Sequence, residues 1–372
     1  MSAGDPGDGL DARITGVEVS AYTIPTDAPE ADGTITWDST TIVLVRATAG
    51  GATGIGYSYA DRASAALIHG TLAGVVTGRR AGDVGAITMA LAQACRNLGR
   101  PGVASCAISA IDVALWDLKA RLLGVSLVAL LGGVREAVTL YGSGGFTSYS
   151  LARLERQLGG WARDGFRAVK MKIGRDIAAD RLRVRAARAA IGPDTELFVD
   201  ANGAYACQQA LAQADAFVEH GVTWFEEPVS SDDLDGLRRL RDRMPPPIEV
   251  AAGEYGYDAI YFRRMLAAGA VDVLQADATR CGGITGFLAA AALCDAWNLP
   301  LSAHTAPSVH AHVCCAAPRV RHLEYFHDHA RIESMLFDGV LTPVDGRLQP
   351  DRSRPGLGLE LKPRDASRFA AA

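Results

Sequence analysis

The chain has 372 residues and a formal net charge of −5, with 49% hydrophobic and 21% charged residues. This composition is typical of a soluble globular enzyme of about two domains, and it offers no basic excess for binding nucleic acid. No apolar run is long enough to span a membrane. The seven cysteines form no Cys-x-x-Cys pair, which indicates reduced thiols in a cytoplasmic protein.

The first third of the chain predicts a short tail and a small α+β domain. Residues 1–11 lack the basic and apolar regions of a signal peptide, so we expect a disordered tail there. Residues 12–137 form the α+β domain, in which the polar segment 25–39 is expected to be a loop. Residue patterns predict antiparallel strands at 14–22, 41–47 and 54–57, and helices at 63–76, 84–98 and 104–123.

From residue 138 the pattern changes to strands and helices that alternate about every 25 residues, which predicts an α/β fold, a (β/α)₈ TIM barrel over 138–335. The first domain then caps this barrel. After residue 326 the chain lacks a clear helical pattern, and we expect 336–372 to return to the capping domain. The predicted strands are 138–142, 168–173, 197–200, 223–226, 248–253, 272–277, 299–304 and 322–326.

Ionisable residues stand at the C-terminal ends of seven of these strands. In a (β/α)₈ barrel those ends meet at one mouth, which is where such barrels place their active sites. A single carboxylate after a strand is more often a helix cap, but seven such strand ends are hard to explain by capping. The residues are Lys170, Lys172, Asp200, Glu226, Glu254, Asp277, His304 and Glu324.

Lys170 and Lys172 are two residues apart in a strand and therefore point to the same side. Repulsion between the two amines and their partial burial both disfavour the charged form. We therefore expect at least one lysine with a lowered pKa, able to act as a general base. A pair of lysines on a solvated edge strand is the alternative for this motif taken alone.

Asp200, Glu226 and Glu254 come from three adjacent strand ends, and their carboxylates would repel one another unless a cation neutralised them. Oxygen ligands alone favour a hard ion, so the expected cofactor is Mg²⁺. Glu226 and Glu227 are neighbours and face opposite ways, and the strand phase favours Glu226 as the ligand.

Asp277 and His304 lie on consecutive strands, and a carboxylate beside an imidazole forms a general acid/base unit. Glu324 on the last strand could donate a hydrogen bond if it stays protonated. His310 and His312 are expected in the following helix without an assigned role.

Taken together, these motifs resemble the enolase superfamily and its mandelate racemase subgroup. The resemblance covers nearly the whole chain, and only the full set in order is specific. The motifs are Lys170-Met-Lys172, Asp200-Ala-Asn202, Trp-Phe-Glu-Glu-Pro at 224–228, Gly253-Glu254, Asp277 with Gly-Gly-Ile-Thr at 282–285, Ser302-Ala-His304 and His322-Leu-Glu324.

The resemblance implies roles for these residues. The three carboxylates at 200, 226 and 254 are the Mg²⁺ ligands, and Lys172 is the base on one face of the substrate, with Lys170 near the substrate carboxylate. The His304–Asp277 pair is the acid/base on the other face, and Glu324 donates a hydrogen bond to the developing enediolate. The partners implied are a small carboxylate substrate and further copies of the chain, with no nucleic acid or membrane.

One position departs from the family pattern. Arg280 stands where the racemase and the muconate-lactonising relatives carry lysine, and an arginine is a poor base. This disfavours cycloisomerase chemistry of the lysine–lysine kind and favours dehydration of an acid sugar to a 2-keto-3-deoxy acid. The hydrophilic segment 25–39 also suits a hydroxylated substrate. A 2-hydroxyacid racemase or epimerase, which uses the same residues, is the alternative.

Overall fold

The structure is a computed structural model that describes residues 9–371. Most of the predicted disordered tail at 1–11 therefore lies outside the described residues. No helix within residues 9–371 is both long and apolar enough to cross a membrane.

The capping domain is a three-stranded antiparallel sheet covered by helices. Its strands are β1 (Gly16–Ala31), β2 (Thr36–Ala49) and β3 (Ala52–Tyr59), and β2 lies in the middle. The helices are α1 (Arg62–Leu67), which continues through a π-helical turn (Ile68–Leu72) into α2 (Ala73–Val76), then α3 (Val84–Ala94), α4 (Val103–Leu122) and α5 (Leu127–Leu131).

Helix α4 packs directly on β3 because glycines leave room for it. A Cβ atom added to Gly56 would lie 2.2 Å from the backbone nitrogen of Ala114 in α4. The apolar residues on the inner side of this helix, among them Ile108, Ile111 and Leu115, are fully buried.

The prediction of a loop at 25–39 is wrong, because β1 and β2 extend as a hairpin through most of it. Pairing resumes at Glu30 opposite Trp37 after an irregularity that follows Pro25, and only residues 32–35 form the turn. The polar residues that indicated a loop lie on a hairpin that lines a pocket, where apolar alternation is not required.

Residues 138–326 form a closed barrel of eight parallel strands, as predicted. Strands β4 to β11 pair in chain order, and β11 closes the barrel on β4. The strands are β4 (Val138–Gly144), β5 (Ala168–Lys172), β6 (Glu196–Asp200), β7 (Val222–Glu226), β8 (Glu249–Ala252), β9 (Val273–Ala276), β10 (Leu301–Ala303) and β11 (Val320–Phe326).

A helix follows each barrel strand and buries its apolar side against the sheet. The prediction of no clear helix after residue 326 is wrong, because helix α13 (His327–Leu336) begins there. The inner side of this helix carries buried polar residues such as Asp328 and Glu333, which hide the apolar periodicity. The helices are α6 (Leu151–Arg163), α7 (Ile177–Ile191), α8 (Cys207–Val218), α9 (Leu234–Arg241), α10 (Ala259–Ala267), α11 (Gly283–Trp297), α12 (Pro307–Ala316) and α13 (His327–Leu336).

The C-terminal segment contacts the capping domain. Arg121 of α4 pairs with Glu360 at 2.6 Å, and the backbone N–H of Leu127 donates to Gly356 at 2.7 Å. The remaining elements are β12 (Phe337–Asp338), β13 (Arg347–Leu348), β14 (Glu360–Leu361), α14 (Pro363–Ala366) and a 3₁₀ turn (Ser367–Phe369).

Aromatic side chains fill the barrel below its mouth. The rings of Phe198 and Trp224 stack with centroids 5.1 Å apart, and Tyr141 packs at their edge. All three are buried. The polar residues of the strand ends therefore lie above a layer of buried aromatic rings.

Candidate active site

The structure brings all eight predicted site residues together at the mouth of the barrel. Strand register places Lys172 beside Asp200 and Asp200 beside Glu226, so these three lie at one level. Asp277 directly follows β9, and His304 directly follows β10. The last backbone hydrogen bond between these two segments runs from the His304 N–H to the carbonyl of Ala276, at 3.0 Å. All eight side chains are buried.

Three carboxylates form a compact acidic triad. One oxygen from each of Asp200, Glu226 and Glu254 lies within 4.8 Å of the others. Trp224 donates its indole N–H to Glu226 at 3.0 Å, and the Asn202 backbone N–H donates to Asp200 at 2.9 Å. Three buried oxygen donors held this close fit a hard divalent cation such as Mg²⁺.

Glu226 and its neighbour Glu227 have different environments. Glu226 belongs to the triad, whereas the φ of 38° at Glu227 turns the chain away from the strand. Burial, followed by the charges of Glu254 and Asp200, raises the pKa of Glu227 well above its usual value. Burial and Asp200 also raise the pKa of Glu226 to about 8, although Lys170 opposes this.

Both lysines contact the carboxylates of this site. The Lys170 ammonium contacts Glu226 closely and lies 2.8 Å from Glu324, and the Lys172 ammonium lies 2.5 Å from Asp200. Burial lowers the pKa of each lysine, but the facing carboxylates outweigh burial and raise both pKa values above the ordinary range. The expected lowering of a lysine pKa is therefore wrong for this arrangement, because carboxylate attraction exceeds the repulsion between the two amines.

His304 and Asp277 form the predicted pair. His304 Nδ1 lies 2.8 Å from Asp277 Oδ2, and His304 Nε2 lies 3.1 Å from Glu254. Burial lowers the pKa of His304, but Glu254 and Glu324 raise it, to about 9. Burial opposes ionisation of Asp277, yet hydrogen bonding and charge attraction from His304 hold its pKa below the usual value.

Glu324 is held as an anion here, against the expectation of a protonated donor. Burial raises the pKa of this carboxyl, but the charges of Lys170 and His304 lower it, to about 2. Its Oε2 accepts a hydrogen bond from the Thr305 backbone at 3.2 Å.

A cavity of about 380 Å³ lies above these groups, between the barrel mouth and the hairpin of the capping domain. The hairpin supplies polar side chains and two large apolar ones, and its outer part is tied to the barrel by the 2.9 Å pair of Asp27 with Arg153. The cavity is lined from the cap by Asp32, Ile35, Trp37, Ser39, Thr40, Thr41, Tyr59, Ala60 and Asp61, and from the barrel by Lys172, Asn202, Glu254, Tyr255, Arg280, His304, Thr305, Glu324, Phe326 and His329.

Several of these wall residues were missed in the sequence. Tyr255 directly follows Glu254, so its place after a strand end was a usable signal. His329 stacks on Tyr59 with ring centroids 3.3 Å apart, but it lies on α13, the helix that residue patterns concealed. Arg280, by contrast, was singled out in the sequence without a role; it lies 3.6 Å from Glu254 and 3.7 Å from Asp277, over the ring of Tyr255.

Known proteins match this chain along most of its length. A family model described as "Mandelate racemase / muconate lactonizing enzyme, N-terminal domain" matches residues 15–132, and one described as "Enolase C-terminal domain-like" matches residues 153–366. The chain is 32% identical to L-talarate/galactarate dehydratase of Salmonella typhimurium over 94% of this chain and 89% of that protein. It is also 32% identical to 3,6-anhydro-alpha-L-galactonate cycloisomerase of Streptomyces coelicolor, over 84% and 86% of the two chains.

Solved structures agree in fold. A mandelate racemase/muconate lactonizing enzyme-like protein from Rubrobacter xylanophilus superposes with a TM-score of 0.95 at 54% identity, over 96% of this chain and 100% of that one. L-talarate dehydratase from Polaromonas sp. JS666, complexed with Mg and L-glucarate, superposes with a TM-score of 0.88 at 31% identity, over 97% and 98%. Together with the buried acidic triad, this magnesium-bound neighbour confirms the prediction of Mg²⁺ as the cofactor.

Proposed function

Because this chain belongs to the enolase superfamily, and within it to the mandelate racemase / muconate lactonizing enzyme family, we propose that it is an Mg²⁺-dependent acid-sugar dehydratase. The observation that carries the proposal is the placement of an amine and an imidazole on opposite sides of one acidic triad. Lys172 contacts the triad at Asp200, and His304 contacts it at Glu254.

Asp200, Glu226 and Glu254 would hold Mg²⁺, which supplies a Lewis acid that makes the carbon next to a carboxylate more acidic. Asp200 also raises the pKa of Lys172, from which it lies 2.5 Å away. The proton-transfer group and the metal site would therefore share this carboxylate.

Lys170 and Glu324 form the part of the site that receives the substrate carboxylate. Lys170 is the buried cation nearest to Glu324, at 2.8 Å. A substrate carboxylate at Lys170 would compete with Glu324 for that charge and raise the pKa of Glu324. The carboxyl could then donate the hydrogen bond that stabilises charge developing on the substrate oxygen.

Elimination of water needs two proton transfers. Lys172 or His304 removes the proton from the carbon next to the carboxylate, and the electron pair forms the enolic double bond. His304, as the imidazolium, then gives its proton to the β-hydroxyl, which leaves as water. The resulting enol takes up a proton at carbon and releases its hydroxyl proton, which gives a 2-keto-3-deoxy acid.

The cavity wall suits a hydroxylated substrate. Ser39, Thr40 and Asp32 from the hairpin, with Asn202 from the barrel, present hydrogen-bonding groups to the space above His304. The substrate class we propose is therefore an aldonate or aldarate. The two curated relatives compared above are a dehydratase and a cycloisomerase, which does not favour the racemase alternative and makes cycloisomerisation the second candidate.

The test is incubation of the Mg²⁺-loaded protein with a library of aldonates, aldarates and their anhydro and lactone forms in D₂O. Dehydration gives a new 2-keto acid with loss of water. A ring-opened product that has neither gained nor lost water would indicate a cycloisomerase. Incorporation of deuterium at Cα without any other change in the substrate would indicate a racemase. The Lys172→Ala protein and a chelated sample are the controls, and product formation at the wild-type rate in either would contradict the proposal.

A further inference from the structure

His310 is a buried residue on α12 (Pro307–Ala316) that the proposed mechanism leaves unused. Both of its ring nitrogens bond to the backbone. Nε2 accepts the N–H of Ala278 at 2.8 Å, and Nδ1 donates to the carbonyl of Thr305 at 2.7 Å. Each of these partners is the residue directly after a member of the Asp277–His304 pair.

The imidazole connects the two strands where their own pairing ends. Strands β9 and β10 are in register as far as Ala276 and Ala303. One more backbone hydrogen bond follows, from the His304 N–H to the carbonyl of Ala276 at 3.0 Å. Beyond it, the two segments leave the sheet as separate turns. The ring of His310 bridges these turns.

The turn after His304 needs such support. Thr305 and Ala306 have φ angles of 52° and 40°, in the left-handed region that residues with a Cβ rarely adopt. Such a conformation persists only where the surroundings hold it. His310 Nδ1 lies within hydrogen-bonding distance of both carbonyls of this turn, 2.7 Å from Thr305 and 3.2 Å from Ala306.

The two bonds also set the tautomer of His310. The Ala278 N–H is a donor, so Nε2 must be unprotonated, and the hydrogen is therefore on Nδ1. Burial lowers the pKa of His310, which keeps the ring in this neutral form. A second hydrogen on Nε2 would face the Ala278 N–H and break the bridge.

We propose that His310 is a positioning residue that holds Asp277 and His304 at hydrogen-bonding distance by tying together the two turns that carry them. Asp277 itself is oriented within its turn by Thr279, whose N–H and hydroxyl donate to Oδ1 at 2.6 and 2.8 Å. His310 sets the spacing between that turn and the turn of His304. The inference rests on the proposed function only in assigning proton transfer to this pair.

His312 provides a matched control on the same helix. It is also fully buried, and its Nδ1 accepts one backbone N–H, from Val128 of α5 at 3.2 Å. That bond joins the barrel to the capping domain and has no link to the turns of Asp277 and His304.

The kinetic test compares His310→Phe, His310→Gln and His312→Phe on the substrate found in the library screen. The Phe variants keep a ring but lose the hydrogen bonds, whereas Gln retains one donor and one acceptor. We expect His310→Phe to lower kcat about 100-fold with KM unchanged, because small displacements of reacting groups have effects of that size. His310→Gln should recover much of the rate, and His312→Phe should lower the melting temperature without lowering kcat.

A spectroscopic test needs no turnover and so separates this inference from the proposed function. In protein labelled with ¹⁵N-histidine, the Nδ1 proton of His304 that bonds to Asp277 should give a downfield resonance. We expect it to be lost or shifted in His310→Phe and retained in His310→Gln and His312→Phe. Retention of both this resonance and wild-type kcat in His310→Phe would overturn the proposal, as would an equal loss of kcat in His312→Phe.

Discussion

The two sides of the site hold their proton-transfer groups in different ways. On the lysine side, Lys170 and Lys172 contact Glu226 and Asp200, which belong to the acidic triad. On the histidine side, Nε2 of His304 also reaches the triad, at Glu254, but Nδ1 is bonded to Asp277, which lies outside it.

The difference indicates which properties depend on the metal. The charge state of the lysines is set by carboxylates that they must share with a cation. The orientation of His304 is set by a carboxylate of its own, which Thr279 and the turn after β9 hold in place. We therefore expect changes on the lysine side to alter both metal binding and catalysis, and changes at Asp277, which pairs with His304 and lies outside the triad, to alter catalysis alone.

The largest effect should come from removing either proton-transfer group. Lys172→Ala and His304→Asn should each lower kcat by about 10³-fold or more, since general acid–base groups contribute on that scale. Circular dichroism should show an intact fold in both.

Exchange of the α-proton in D₂O then separates the two sides. Only the variant that lacks the proton-abstracting group should lose exchange as well as product. Wild-type rates in both variants would show that the assignment of two bases is wrong.

Replacing Asp277 with Asn should lower kcat by about 10²-fold or more while the Kd for Mg²⁺ stays the same. Thr279 donates twice to Oδ1, so the amide oxygen would remain there and the NH₂ group would face His304. His304 would then have its hydrogen on Nε2, the wrong tautomer for a base at that atom. Steady-state kinetics and calorimetry with Mg²⁺ measure the two quantities, and a parallel loss of metal affinity would contradict the separation of the two sides.

Glu226→Gln should weaken Mg²⁺ binding by more than about 10-fold, because even residues that only support metal ligands have effects of that order. The matched control is Glu227→Gln, which changes the neighbouring buried carboxyl outside the triad. Calorimetry on both variants gives the result directly. A loss of affinity in the control alone would move the ligand role to Glu227.

The positions of the site residues could be predicted from the sequence, whereas the charge states of two of them could not. The strand ends of a barrel converge whatever their side chains are, so the position of each residue from Lys170 to Glu324 followed from chain order. The charge states of Lys170 and Glu324 did not follow, because each depends on the other at 2.8 Å, although they lie far apart in the sequence.

The remaining errors lie where polar residues are buried. The hairpin around Glu30 and Trp37 and the helix that carries His329 both line the cavity, so neither shows the apolar periodicity on which secondary-structure prediction depends. The bridge made by His310 could not be predicted either, because its partners are backbone groups of two separate turns.

Glu30 is a buried carboxyl that forms no ion pair with any residue in the described range 9–371. Of the changes predicted here, its ionisation should have the smallest effect. Glu30 is fully buried and accepts the indole N–H of Trp37 at 2.8 Å. Burial and the charge of Asp328 raise its pKa to about 8, which Arg331 only partly offsets. The folded protein therefore favours the neutral form. The stabilisation from this group is complete below the unfolded pKa of about 4.5 and is lost as the pH rises through about 8.

The melting temperature should consequently fall by a few degrees, on the order of 3 °C, between pH 5 and pH 9 because of this one group. Glu30→Gln cannot ionise and keeps an acceptor for Trp37, so its melting temperature should change less over the same range. Asp38→Asn, which removes an exposed carboxyl from the same hairpin, is the control and should keep the wild-type pH dependence. If Glu30→Gln followed the wild-type curve, the pKa of Glu30 would have to be near its ordinary value, and a cation would have to compensate this carboxyl as Lys170 compensates Glu324.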